Sequence, residues 1–187
     1  SLQPSYHQFY RLYEHPPMGQ TASVKKLITE DACSGYQFFA GVAEDRGLAC
    51  AAAGGKSNIA AAILASHEPV LVIADGAAFG SEMERVTELM KVRDDIYLYL
   101  PESFEWLILR SGLIAKEYLM DMLEKPYQYI DSEKYFSWEQ FFTAVLQDST
   151  KGTLYQYAKN KLNPVYLHKA TKMKILAVMK PLAERGW

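Results

Sequence analysis

The sequence predicts an α/β protein, with a mostly parallel four-stranded sheet flanked by helices and a helical C-terminal extension packed on that core. Two observations carry this expectation. From Val24 onward, short apolar runs alternate with amphipathic stretches, the pattern of parallel strands joined by crossover helices. After Ile114 the alternation stops and only helical patterns follow. The chain therefore divides into an N-terminal helix and connector over 1–23, an α/β core over 24–114 and the extension over 115–187.

The elements can be justified in order. Tyr6, Phe9, Tyr10 and Tyr13 suggest a short helix that His15, Pro16 and Pro17 bring to an end. The first strand spans 25–30, and Ser34 with Gln37 forms a capping box for a helix with Tyr36, Phe39, Val42 and Ala43 on one face, closed by Gly47. The second strand, 48–53, runs into Gly54, Gly55, Lys56, Ser57 and Asn58, after which Ile59, Ile63 and Leu64 mark a buried helix side. The third strand, 70–74, is wholly apolar, as a central parallel strand should be, and stops at Asp75 and Gly76. Ser81 with Glu84 caps the next helix, whose stripe is Met83, Val86, Leu89 and Met90, and the fourth strand, 96–100, ends at Pro101 and Glu102. Helices are expected over 104–109, 117–123, 137–146 and 170–182. The many aromatic residues of the C-terminal half read mainly as packing groups, with base stacking as the alternative.

At 187 residues, 49% hydrophobic and 22% charged, the chain can form one core without disulfides. Its longest apolar runs fall short of the roughly 18 residues a membrane span requires, so no membrane partner is expected. No secretory leader pattern is evident, and a start at Ser1 rather than methionine points to a processed start or a chain cut from a longer one. A cytoplasmic location follows, with Cys33 and Cys50 reduced and buried. Charge is uneven. From Lys151 onward eight basic residues face only Glu184, giving +7, while the first 150 residues carry 12 basic against 21 acidic groups, giving −9. The basic end is either a contact surface for nucleic acid or a solvated helix face.

Ligands of open parallel sheets gather at the carboxyl ends of the strands, which selects the residues that matter. Those ends carry Glu30 and Asp31, the Gly54–Asn58 turn, Asp75, and then Glu102 and Glu105. The carboxylates suit a hard divalent cation such as magnesium. The turn, Gly54, Gly55, Lys56, Ser57 and Asn58, suits a phosphate. A Walker A loop is disfavoured because Cys50 stands where that pattern needs its first glycine, although a nucleotide binder stays an alternative. The four histidines lie at no metal-ligand spacing, and no serine-hydrolase elbow is present.

Taken together, Leu27-Ile28-Thr29-Glu30, the Gly-Gly-Lys turn, Asp75-Gly76-Ala77-Ala78-Phe79-Gly80 and the run from Tyr97 to Leu107 with Pro101, Glu102 and Glu105 resemble a Toprim domain. The likeness is to the Toprim part of the overcoming-lysogenization-defect nucleases and covers about 24–114. It implies a Toprim-like, Rossmann-like core and phosphodiester chemistry, with Glu30 as acid or base and Asp75 holding magnesium. Three positions depart from the family pattern: Ala77 replaces its second aspartate, Asp31 its glycine and Ser34 a further acid. The expected function is therefore engagement of nucleic acid or a phosphorylated ligand through a degenerate magnesium site formed by Glu30, Asp75 and Asp31. Asp31, Glu82 or Glu105 would compensate for the missing acids. The alternatives are an active magnesium-dependent nuclease using Glu30, Asp75 and Glu105, a nucleotide binder, and a protein-interaction module.

Overall fold

The computed structural model describes residues 11–13, 24–76, 79–131 and 133–179. Within them the four expected strands form a parallel array: β2 (Lys26–Thr29), β3 (Ala49–Ala52), β4 (Val70–Ile73) and β5 (Ile96–Leu100). A fifth strand, β1 (Arg11–Tyr13), pairs antiparallel with β5, with Arg11 opposite Leu100 and Tyr13 opposite Leu98. The order across the sheet is β1-β5-β4-β2-β3. Here the structure corrects the sequence reading, which expected a helix before the prolines. The edge of β5 offers a ladder of unpaired backbone groups, and pairing along it outweighs local preference. The rest of 1–23 lies outside the described residues.

Period-two alternation divides the sheet between two cores. Leu27, Leu71, Ile73, Tyr97 and Tyr99 face one side, and Ile28, Val70, Val72, Ile96, Leu98 and Leu100 the other. The second face is covered by α2 (Ile59–Ala65) and α3 (Met83–Val92) through Ile59, Ile63, Val86 and Met90. The first and larger face carries α1 (Ser34–Asp45) and four later helices: α4 (Phe104–Arg110), α5 (Glu117–Glu124), α6 (Trp138–Thr150) and α7 (Lys169–Val178). The C-terminal helices thus extend one layer of the same core. The tail of the expected 170–182 helix from residue 180 lies outside the described residues.

The caps differ from those expected. Ser34 and Gln37 do not cap α1; the Ser34 hydroxyl donates to Ala158 O at 2.6 Å, while Gln37 donates to Asn160 O and accepts from the Leu162 amide. A tertiary strap has claimed both ends of the box. Ser81 lies inside a 3-10 turn (Gly80–Glu82), and α3 has no side-chain cap. The capping serines are Ser103 and Ser137, which accept from the amides of Trp106 and Gln140. Leu64 is 59% exposed rather than buried, because a two-turn helix places only Ile59 and Ile63 against the sheet. Cys33 and Cys50 are free but only half-buried.

These placements give opposite expectations for adjacent residues. Ile63→Ala should cost about 2–5 kcal/mol of unfolding free energy and Leu64→Ala less than about 0.5 kcal/mol, measured by urea denaturation. Equal losses at the two positions would contradict the assigned face.

Candidate functional site

The chain direction across the sheet reverses between β2 and β4: the connection from β2 leads outward to β3, and that from β3 returns past β2 to β4. Loops leaving β2 and β4 therefore part in opposite directions and open a crevice at their carboxyl ends. Glu30 and Asp75 stand at that point. The Asp75 amide donates to Glu30 Oε2 at 3.4 Å, a long bond that fixes the two acidic tips side by side. Gly76 allows this approach, since a Cβ there would meet Leu100 O and Pro101 O at 3.1 Å, and its amide donates to Pro101 O at 2.7 Å.

The crevice is an open cleft enclosing about 500 Å³, solvent at its mouth included, and among the described residues five carboxylates line it: Glu30, Asp31, Asp75, Glu105 and Glu139. Glu105 enters from the first turn of α4 and Glu139 from the first turn of α6. The wall is completed by Tyr157 and Lys159 on the strap after α6. That strap is held to the start of α1 by Ser34 N donating to Lys159 O at 2.8 Å and by the Ser34 and Gln37 side-chain bonds. Phe104 packs against Phe38, Phe39 and Tyr157 with ring centroids 5.2 to 6.5 Å apart, giving the cleft an aromatic foundation.

Crowding of acids sets the electrostatics. Burial, then the charges of Glu105, Glu139, Glu30 and Asp31, push the Asp75 carboxyl well above its ordinary range. Burial also raises Glu30; the Asp75 amide opposes it, Asp31 and Glu139 add to it, and Lys56 opposes it. Glu105 is raised by burial against the Tyr157 hydrogen bond and Lys159. Burial works against the Lys159 ammonium, but the Glu139 carboxylate, with Glu105 and Asp75, holds its pKa above the usual lysine value. Among the described residues, five acids and one ammonium share the lining of the cleft.

Several of these acids already have internal partners. Glu30 accepts from the Asp75 amide, Asp31 Oδ1 from the Cys33 amide at 2.9 Å, and Glu105 Oε1 from the buried Tyr157 hydroxyl at 2.7 Å. Glu139 is ion-paired with Lys159. Accordingly, among the described residues no three His, Cys, Asp or Glu side chains converge on a point where they would hold a metal ion in this arrangement.

The structure therefore brings together Glu30, Asp31, Asp75 and Glu105 of the residues selected from sequence. It does not bring in the Gly54–Asn58 turn. Gly54 and Gly55 have φ of 83° and 127°, conformations that favour glycine, but the Gly55 amide donates to Glu30 O at 2.8 Å and the Asn58 amide to Gly55 O. Lys56, Ser57 and Asn58 are exposed beside the cleft rather than in its lining, so the expected phosphate cradle is not part of this site. Lys56 still acts on Glu30 through its charge. Glu82 and Glu102 also fall outside the lining. Sequence reading missed Glu139, Tyr157 and Lys159. No motif marks them; the one available signal is a tyrosine and a lysine in an otherwise plain loop.

The aromatic residues divide. Phe141, Phe142, Tyr157 and Tyr166 are buried as packing groups, while Phe136 is 89% exposed and Tyr127 and Tyr129 are also exposed. The basic end is partly neutralised: Lys172 pairs with Asp45, and Lys159 turns into the cleft. Burial raises both thiols, that of Cys50 to about 11, which suits neither for nucleophilic chemistry. Among the described residues, no helix is long and apolar enough to cross a membrane. The molecule is thus an α/β protein with a carboxylate-lined cleft at a strand-order reversal. No family model matches the chain, and neither the curated proteins nor the solved structures include a match.

Glu102 has a separate consequence. It is 2% exposed, neither carboxylate oxygen has a hydrogen-bond partner among the described residues, and burial raises its pKa from 4.5 to about 7. A carboxyl raised on folding binds its proton more tightly in the native state, so stability falls as pH rises from about 4.5 through 7, by about 3 kcal/mol for this group. Glu102→Gln should abolish that loss. In urea unfolding, its stability advantage over wild type should grow by about 2–3 kcal/mol between pH 5 and pH 8; an advantage equal at both pH values would contradict the assignment.

Proposed function

We propose that the cleft binds a divalent cation, magnesium in the cell, and through it a phosphorylated ligand such as nucleic acid. The observation that supports this reading most is the meeting of Glu30, Asp75 and Glu105 with Glu139 at the strand-order reversal. Carboxylates alone would repel a phosphate, whereas a cation held among them offsets their charge and presents a positive face to the anion. The resemblance to Toprim domains points to the same chemistry. The site is weakened relative to that family, since Ala77 lacks a carboxylate and Asp31 is occupied by the Cys33 amide.

Manganese titration by calorimetry tests the reading. Wild-type protein should bind Mn²⁺, and Asp75→Asn should weaken binding by about tenfold or more, as expected for loss of a charged ligand. Binding of a fluorescent oligonucleotide should require the cation. Equal Mn²⁺ affinity in wild type and Asp75→Asn, or oligonucleotide binding unchanged by EDTA, would refute it.

Hydrolysis is the second reading, favoured by the placement of Glu30, Asp75 and Glu105 in one cleft. It requires cleavage of DNA or RNA in magnesium or manganese that Asp75→Ala abolishes. Intact substrate after prolonged incubation with wild-type protein would leave binding alone.

A further inference from the structure

Glu102 stands at the joint between two walls of the cleft. The pairing of β4 with β5 runs on past both strands: the Ala74 amide donates to Tyr99 O at 3.3 Å and the Gly76 amide to Pro101 O at 2.7 Å. This last rung joins the connection that bears Asp75 to the one that leads into Phe104 and Glu105. Glu102 follows it directly. We propose that Glu102 is a proton-operated latch on this rung. As a neutral acid it stays inside with the Gly76–Pro101 bond closed; as a carboxylate it reaches water by opening that bond, which frees the segment bearing Asp75.

Three observations lead there. First, the side chain is enclosed: Glu102 is 2% exposed, and neither oxygen has a hydrogen-bond partner among the described residues. A neutral acid tolerates such a place far better than an anion, which needs water or a donor. Second, the residue is turned away from the cleft. Pro101, Phe104 and Glu105 line it whereas Glu102 and Ser103 do not, so the solvent of the cleft does not reach the Glu102 carboxyl while the joint is closed. Third, the two sides of the joint are held unequally. The α4 side is buried without a break over 101–109 and capped by Ser103, whose hydroxyl accepts from the Trp106 amide at 3.1 Å. On the β4 side Asp75 and Gly76 are only partly buried, and Gly80 and Ser81 are exposed. The rung therefore parts on the β4 side.

Burial alone raises the Glu102 pKa, to about 7. No charge among the described residues acts on it, neither Asp75 across the rung, nor Glu105 on α4, nor Glu82 and Arg85 where α3 begins. A hydrated carboxyl titrates near 4.5, so the preference for the closed joint is fully present below about pH 4.5 and is lost as pH rises through 7. The latch works in this range whatever ligand the cleft takes.

Amide hydrogen exchange followed by NMR tests the latch at the rung itself. Between pH 5 and pH 7 the protection of the Gly76 amide should fall by about fortyfold more in wild type than in Glu102→Gln, the change expected when opening returns a carboxyl from a pKa of about 7 to 4.5. Asp75 and Glu30, whose carboxyls are also raised, titrate alike in both proteins, so the difference belongs to Glu102. The opening is local: below the unfolding transition, Gly76 exchange should stay level with urea while that of Val72, in the middle of β4, follows global unfolding. Glu102→Met replaces the glutamine variant if that fails to fold. An equal fall in Gly76 protection in wild type and variant would overturn the latch, as would Gly76 exchange that follows urea in step with Val72.

Discussion

The strand-order reversal between β2 and β4 is the constraint from which the rest of the site follows. Because these two parallel strands are neighbours in register, with Thr29 opposite Ile73, the residues that leave them emerge together. Glu30 and Asp75 are 45 positions apart in the chain and joined by one amide hydrogen bond. The helices then determine what else reaches that spot. Ser103 caps α4 and directs Glu105 inward, Ser137 caps α6 and brings Glu139, and the strap tied to Ser34 and Gln37 adds Tyr157 and Lys159.

Clustering acids in a partly buried cleft has an energetic cost, visible as the raised pKa values of Glu30, Asp75 and Glu105. The protein offsets it with specific internal donors: an amide for Glu30, a tyrosine hydroxyl for Glu105 and an ammonium for Glu139. They differ in burial. Buried Tyr157 is fixed among Phe104 and Tyr166, whereas the Lys159 side chain is 35% exposed. Acids with raised pKa values lining a cleft at the carboxyl ends of parallel strands mark it as a candidate site.

Much of the fold was legible because parallel strands announce themselves: the runs at 70–74 and 96–100 are apolar on both faces, and each is followed by a helical stripe. The acidic tips were legible for the same reason, since the ends of those strands locate the crevice. What escaped was whatever depends on distant pairing. β1 has three residues and exists because β5 offers an edge. The Ser34 and Gln37 box is locally well formed, yet both side chains bind residues more than 120 positions away. Glu139, Tyr157 and Lys159 belong to the helical extension, which reads as packing until the strap is seen to close over the cleft. The glycine-lysine turn lies beside the cleft rather than in its lining. Its composition suits an anion, but its Gly55 amide is already spent on the carbonyl of Glu30.

The account stands or falls on a cation resting among these carboxylates. Crystals of the protein grown in manganese chloride, measured at a wavelength where manganese scatters anomalously, test that most directly. The account predicts an anomalous peak between Glu30 and Asp75. A cleft without such a peak at saturating manganese would contradict it.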